Sequence, residues 1–312
     1  MLKREAEKKT HIFEDVIPAF LAPDHILEHG FHTEHKENPV IDVDDKEISA
    51  QNEGLPSDFI VQERLYNALD NNHIDVFMQP IVTLPQRHAK FFEIFGRLRV
   101  KAGQYLDASD YITHADDSFA LNKHDTLLLT QALKNLPRHQ NLHGSEALRY
   151  FFNVRPRLLR DSMFMNQVIN ILSQYRELAH TLVFEMHYSD FLTLSPTEHK
   201  VLDALAQIGC CYSLDHVSDI PKDIKTLRKK NVHFVKITAD TLLEQGRSET
   251  GFSDLLSRKH SLEINDIHLI VEKVEKEKQV LDILDYNIKY GQGFLFGRPD
   301  FQSVYTRYRA FG

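Results

Sequence analysis

The sequence predicts an α/β fold, a closed barrel of β/α units with an irregular start. Two observations carry this. Eight apolar, β-branched or aromatic runs fall in the roughly 240 residues after position 57, with helical stretches between most of them. The first two runs are separated only by residues 83–89, too few for a helical crossover, so they should form an antiparallel hairpin.

The opening segment stands apart. It carries Glu5, Glu7, Lys8 and Lys9, then His25, His29, His32 and His35, then Asp42, Asp44, Asp45 and Glu47. Its short apolar patches, Ile12-Phe13 and Ile26-Leu27, sustain no period that builds a core. Residues 1–57 are therefore read as a polar N-terminal tail or linker, and 58–312 as the barrel domain. Strands are predicted at 76–78, 91–98, 148–154, 182–186, 211–214, 234–237, 269–271 and 294–296. Helices are predicted at 127–136, 165–175, 197–208 and 277–286. The third is the best marked: Ser195-Pro196-Thr197-Glu198 supplies an N-cap, a proline in the first turn and a glutamate reaching back, and Gly209 ends the helix.

Composition bounds the function. Hydrophobic residues make up 42% and charged residues 26%, which excludes a disordered or fibrous chain. No apolar run is long enough for a membrane span, and the start lacks an apolar signal core, so a soluble cytoplasmic chain is expected. Adjacent Cys210 and Cys211, the only cysteines, suit a reducing compartment. The net charge of −8 offers no general attraction to nucleic acid polymers or anionic membranes. A phosphate ligand would need a metal ion or a few placed cations.

The predicted strands are not purely apolar. Glu93, Asn153, Glu185, Asp215, Lys236 and Glu272 lie within or at the C-terminal ends of successive strands, and Gln292 lies between Gly291 and Gly293. Burying one such group without partners costs several kcal/mol, roughly 2–7 for a neutral polar group and more for a charge. For a single residue an internal ion pair, such as Lys236 with Glu185 or Asp215, is the plainer reading. For the whole set, a barrel gathers its strand ends on one face, where active sites lie. Carboxylates, an amide and a lysine converging there suit a divalent cation and an anionic ligand.

Longer motifs surround these residues: Phe77-Met78-Gln79-Pro80-Ile81-Val82, Glu93-Ile94-Phe95-Gly96-Arg97, Asp215-His216, Lys236-Ile237-Thr238, Val271-Glu272-Lys273-Val274-Glu275 and Gln292-Gly293-Phe294-Leu295-Phe296-Gly297-Arg298-Pro299. In order and spacing they resemble the EAL family of cyclic-di-GMP phosphodiesterases over about residues 75–300. The resemblance implies a TIM-like β/α barrel of the EAL type with an antiparallel first strand. It also implies two-metal hydrolysis of a phosphodiester with Mg²⁺ or Mn²⁺. By position, Glu93, Asn153, Glu185 and Asp215 would hold the first metal, and Glu272 with Asp215 the second. Lys236 would contact the water or phosphate, and Arg97 a phosphate oxygen. Gln79 and Gln292 would complete the ligand site.

The departures cluster. His216 replaces the second Asp of the family's pair, Thr238 the Asp after Lys236, and Tyr188 a second Glu; Val217-Ser218-Asp219-Ile220 replaces a glycine-rich loop, and Lys273 a glycine. Mg²⁺ prefers oxygen ligands, so the second site is expected to be lost, with Mn²⁺ or Zn²⁺ at His216 the lesser reading. The expectation is a degenerate member: a cyclic-di-GMP receptor or effector with weak or no hydrolysis, signalling through protein partners. The alternatives are a nucleotide-independent interaction module and an active phosphodiesterase giving pGpG. The family's habit of pairing implies a homodimer. Similarity of Leu84-Pro85-Gln86-Arg87 and the preceding strand to degenerate EAL proteins of alphaproteobacterial flagella implies flagellar or polar partners.

Three other signals have plainer readings. His25-Ile26-Leu27-Glu28-His29 fits a zinc-peptidase pattern, but 18 histidines make a chance match the better account. Lys222, Lys225, Arg228, Lys229 and Lys230 read as a solvated helix face, or as a surface for an acidic partner. The charged run 272–278 reads as barrel rim and helix start.

Overall fold

A computed structural model describes residues 57–106, 118–144 and 148–301. Residues 1–56, with the His25 to His29 pattern, lie outside the described residues. Two compact units divide the chain, one formed by Met1–His73 with Leu98–Leu121 and the other by Ile74–Arg97 with Asn122–Gly312.

In the first unit, helix α1 (Ser57–Asp70) buries Leu65, Ala68 and Leu69. The far end of strand β2 (Ala89–Lys101) pairs antiparallel with β3 (Gln104–Tyr105), setting Arg99 opposite Tyr105. Helix α2 (Ser118–His143) spans the division and continues through Pro137, past the predicted end at 136.

The second unit is a closed barrel. Strand β1 (Ile74–Thr83) forms the expected hairpin with β2, and Thr83 N–H donates to His88 O at 2.8 Å in its turn. After β2 come β4 (Arg149–Asn153), β5 (Leu182–His187), β6 (Cys211–Asp215), β7 (Val232–Thr238), β8 (His268–Glu272) and β9 (Tyr290–Gln292), each parallel to the one before. β1 closes the ring by running antiparallel to β9, with Ile81 opposite Gln292.

The connections are α3 (Pro156–Arg160), α4 (Ser162–Gln174), α5 (Arg176–Ala179), α6 (Tyr188–Leu192), α7 (Pro196–Ile208), α8 (Ile224–Lys229), α9 (Ala239–Gln245), α10 (Glu249–Ile264) and α11 (Glu277–Leu284). α7 carries the expected capping box: Glu198 N–H donates to Ser195 Oγ at 3.3 Å, and Ser195 N–H to Glu198 Oε2 at 2.7 Å. Gly209 ends it at φ 117°, a left-handed backbone that glycine adopts freely. The basic run 222–230 is largely α8, capped by Asp223, and Arg228 leaves the cluster to bond Asp266. Among the described residues no helix is long and apolar enough to cross a membrane.

One strand was misplaced by sequence reasoning. The apolar run 294–296 lies in a turn, and the last strand is Tyr290–Gln292. A criterion built on apolar runs passes over a strand made of Tyr, Gly and Gln, even though Gly291 and Gln292 are both buried.

Each barrel strand sends one side chain into a common interior layer. It comprises Ile81, Phe91, Phe151, Val183, Cys211, Phe234 and Ile270, with Tyr290 packed against it. Phe91 anchors it, with ring centroids 5.2 Å from Phe234 and 5.1 Å from Tyr290. Both Cys210 and Cys211 are buried free thiols. This apolar floor is what the site rests on.

Candidate functional site

Side chains alternate faces along a strand, so residues two apart point the same way. Two steps on from each floor residue, toward the C-terminal ends of the parallel strands, stand Glu93, Asn153, Glu185, Ser213, Lys236, Glu272 and Gln292. On antiparallel β1 the same step runs backwards, from Ile81 to Gln79. A polar layer therefore sits on the apolar one.

Lys236 is its centre. The ammonium is fully buried and donates to Glu93 Oε2 at 2.7 Å and Glu185 Oε1 at 2.8 Å. It lies 5.0 Å from the centroid of the Phe151 ring in the floor. Glu93 also accepts from Asn153 Nδ2 at 3.0 Å and Gln292 Nε2 at 2.8 Å. Ser213 Oγ donates to Glu185 Oε2 at 2.7 Å. Gln292 Nε2 also donates to Gln79 Oε1 at 3.1 Å, and Gln79 Nε2 to Gly297 O at 2.9 Å, tying the layer to the closing turn.

Burial opposes the Lys236 ammonium, but the charges of Glu185 and Glu93 outweigh it and hold its pKa well above the ordinary lysine range. Burial pushes the Glu185 carboxyl up, against the pull of Lys236. The site therefore holds the Lys236 ammonium between the Glu93 and Glu185 side chains.

A second cluster lies beside this network. Among the described residues, Asp215, His216 and Glu272 form the group of His, Cys, Asp or Glu side chains whose ligand atoms gather within 4.8 Å of one another. Asp215 Oδ1 accepts from His216 N–H at 2.6 Å, and Oδ2 lies 2.8 Å from His216 Nδ1. Glu272 is buried, and its Oε1 has no hydrogen-bond partner. Burial, then the neighbouring Asp215 charge, pushes its pKa up to about 6. Gln292 Oε1 is likewise buried and unpartnered. The His187 ring stacks on His216, with centroids 4.7 Å apart and planes at 23°. His216 and Lys273, the residues following the two carboxylates, hold φ of 53° and 56°. Buried oxygens lacking donors, beside an imidazole, fit a divalent ion.

All seven strand-end residues named from sequence thus reach one end of the barrel, but in two groups. Glu93, Asn153 and Glu185 gather with Gln292 around Lys236, whereas Asp215 stands with His216 and Glu272. Arg97 shares the inward parity of Glu93, is half-buried, and among the described residues bonds only its neighbour's carbonyl, Gly96 O, at 3.4 Å. Sequence reasoning missed Ser213 and His187. Ser213 was legible as the residue two before Asp215, on the same face; His187 gave no such signal.

The pattern matches a known family model, EAL domain, over residues 62–299. The chain belongs to the EAL domain family. It is 23% identical over 239 residues to the Escherichia coli cyclic di-GMP phosphodiesterase PdeF, covering 77% of this chain and 32% of that protein. It is 21% identical over 236 residues to the Borreliella burgdorferi cyclic di-GMP phosphodiesterase PdeA, covering 76% and 35%. The chain thus spans about a third of the length of these relatives. Its fold is similar to the Xanthomonas citri FimX EAL domain in complex with c-diGMP (TM-score 0.66, 15% identity, 85% of this chain and 100% of that one). It is also similar to the Pseudomonas aeruginosa FimX EAL domain bound to c-di-GMP (TM-score 0.64, 19% identity, 78% and 97%).

Proposed function

We propose that this EAL domain is a receptor for cyclic-di-GMP that hydrolyses it weakly or not at all with Mg²⁺, and that it signals through protein partners. One observation carries this: a hydrogen-bonded polar layer is intact at the barrel mouth, while His216 takes the place of a second carboxylate beside Asp215 and Glu272.

In this reading the half-buried Arg97 takes a phosphate oxygen, a bidentate match of guanidinium to anion. Lys236 holds Glu93 and Glu185 in position and presents positive charge to the phosphate from below. Gln292, fixed by Glu93 and Gln79, orients the ligand through its unpartnered Oε1. Glu93, Asn153, Glu185 and Asp215 supply oxygens for Mg²⁺ or Mn²⁺, which when bound would offset phosphate charge and polarise it. Hydrolysis needs a second ion to clamp attacking and leaving oxygens, and an imidazole serves Mg²⁺ poorly there.

The solved relatives in complex with the nucleotide support the ligand. The test is calorimetric titration with cyclic-di-GMP, with and without Mg²⁺. Binding in either condition is expected, and heat-free titrations in both would end the receptor reading. Hydrolysis to pGpG is a second reading, favoured by relatives named as phosphodiesterases. Chromatography of products against a Glu93→Ala control separates the two.

A further inference from the structure

We propose that Asp215, His216 and Glu272 form a mixed imidazole–carboxylate cation site that selects Zn²⁺ over Mg²⁺. The proposal deepens the receptor reading by naming the ion its altered half takes, and its metal-binding test does not depend on the nucleotide.

Three observations converge. One donor atom from each residue lies within 4.8 Å of the others. Glu272 is only 8% exposed, its Oε1 is buried with no hydrogen-bond partner, and one oxygen of the same carboxylate lies in the cluster. A carboxylate oxygen so placed lacks the donors that ordinarily accompany burial, and a cation supplies what is missing. Finally, the left-handed backbone at His216 (φ 53°) turns its ring back toward the Asp215 carboxylate. Such a backbone is uncommon outside glycine, and strain of this kind collects at ligand sites.

The donor chemistry decides the ion. Zn²⁺ is content with one nitrogen and two oxygens and a fourth position left open, whereas Mg²⁺ needs about six oxygens in near-octahedral order. Imidazole also shifts preference along the divalent series toward Zn²⁺ and Co²⁺. The stacked His187 ring restrains His216, as an outer partner orients a ligating imidazole. An ion here would replace the hydrogen bond between His216 Nδ1 and Asp215 Oδ2.

The experiment uses the full chain, stripped with chelator and titrated separately with ZnCl₂ and MgCl₂. The chain holds 18 histidines, so the readout is the difference between variants. The wild type should bind one more Zn²⁺ equivalent than His216→Ala or Glu272→Gln, roughly 100-fold more tightly than Mg²⁺. His216→Asp should cut the Zn²⁺ to Mg²⁺ preference about tenfold or more. Visible absorption of the Co²⁺-loaded chain should change in His216→Ala. His216 is exposed, so thermal melts of that variant should match the wild type and exclude misfolding. Equal Zn²⁺ stoichiometry and an unchanged Co²⁺ spectrum in the folded variants would overturn the proposal. A missing nucleotide isotherm with Zn²⁺ binding intact would instead remove the receptor reading and leave this site standing.

Discussion

Lys236 and Glu185 meet at 2.8 Å inside the barrel, with both side chains sealed from solvent. Neither charge could remain there alone. Glu93 supplies the second anion, and the three make a unit in which positions and protonation states depend on one another.

Removing the lysine should therefore cost far more than removing one acid. Lys236→Met leaves two buried carboxylates facing each other and should lower the urea unfolding free energy by about 3–5 kcal/mol. Glu185→Gln leaves Lys236 paired with Glu93 and Ser213 with an amide oxygen, so about 1–2 kcal/mol is expected. The double variant should lose less than the sum, since the residues share one network. Equal and additive losses would show that the unit does not exist.

Arg97 should behave in the opposite way. Its guanidinium has no acidic partner among the described residues, so Arg97→Ala should leave the melting temperature unchanged within a degree or two. Cyclic-di-GMP affinity should fall by about 1.5–3 kcal/mol, the worth of a charge-assisted phosphate contact. Arg97→Lys should recover only part of it, because an ammonium lacks the two-pronged geometry. Calorimetry beside thermal melts reads both effects on the same samples.

The closing turn is a matter of space. A side chain on Gly293 would run into the carbonyl oxygen and nitrogen of Val274. That backbone is held in turn by Val274 N–H to Gln292 O at 3.0 Å and Leu295 N–H to Val274 O at 3.2 Å. These bonds set Glu272 and Gln292 side by side. Gly293→Ala should cost more than about 3 kcal/mol and abolish nucleotide binding. Gly103→Ala, where nothing lies within 4 Å, should cost only about 1 kcal/mol for its positive φ.

Much of this was legible beforehand, for a physical reason. A barrel strand buried on both faces admits a charge only at its working end, so Glu93, Glu185, Lys236 and Glu272 stood out against apolar neighbours. The hairpin was readable from its short loop, and α7 from its capping box. What escaped was whatever depends on neighbours distant in sequence. The division of the carboxylates between Lys236 and His216 follows from strand register, which sets Asn153 opposite Glu185 and His187 opposite Asp215. β9 escaped because its buried residues are glycine and glutamine. Helices α9 and α10 escaped because no long apolar stripe marks them.

The other end of the barrel should govern acid stability. At the start of β7, Arg228 Nη1–H donates to His233 Nε2 at 2.6 Å, which favours the neutral ring. Burial, then the Arg228 charge, pulls the His233 pKa from 6.5 to about 4. The unfolded chain thus takes up this proton more readily, and the stability it represents is complete above about pH 6.5 and lost as pH falls toward 4. The shift corresponds to about 3 kcal/mol at most, and partial exposure reduces it to roughly 1–2. His268, one strand over, is shifted down by burial too and adds in the same direction. His233→Gln keeps an acceptor for Arg228 but has no proton to gain. Between pH 7.5 and 5 its melting temperature should therefore fall less than that of the wild type, and parallel curves would place the acid lability elsewhere.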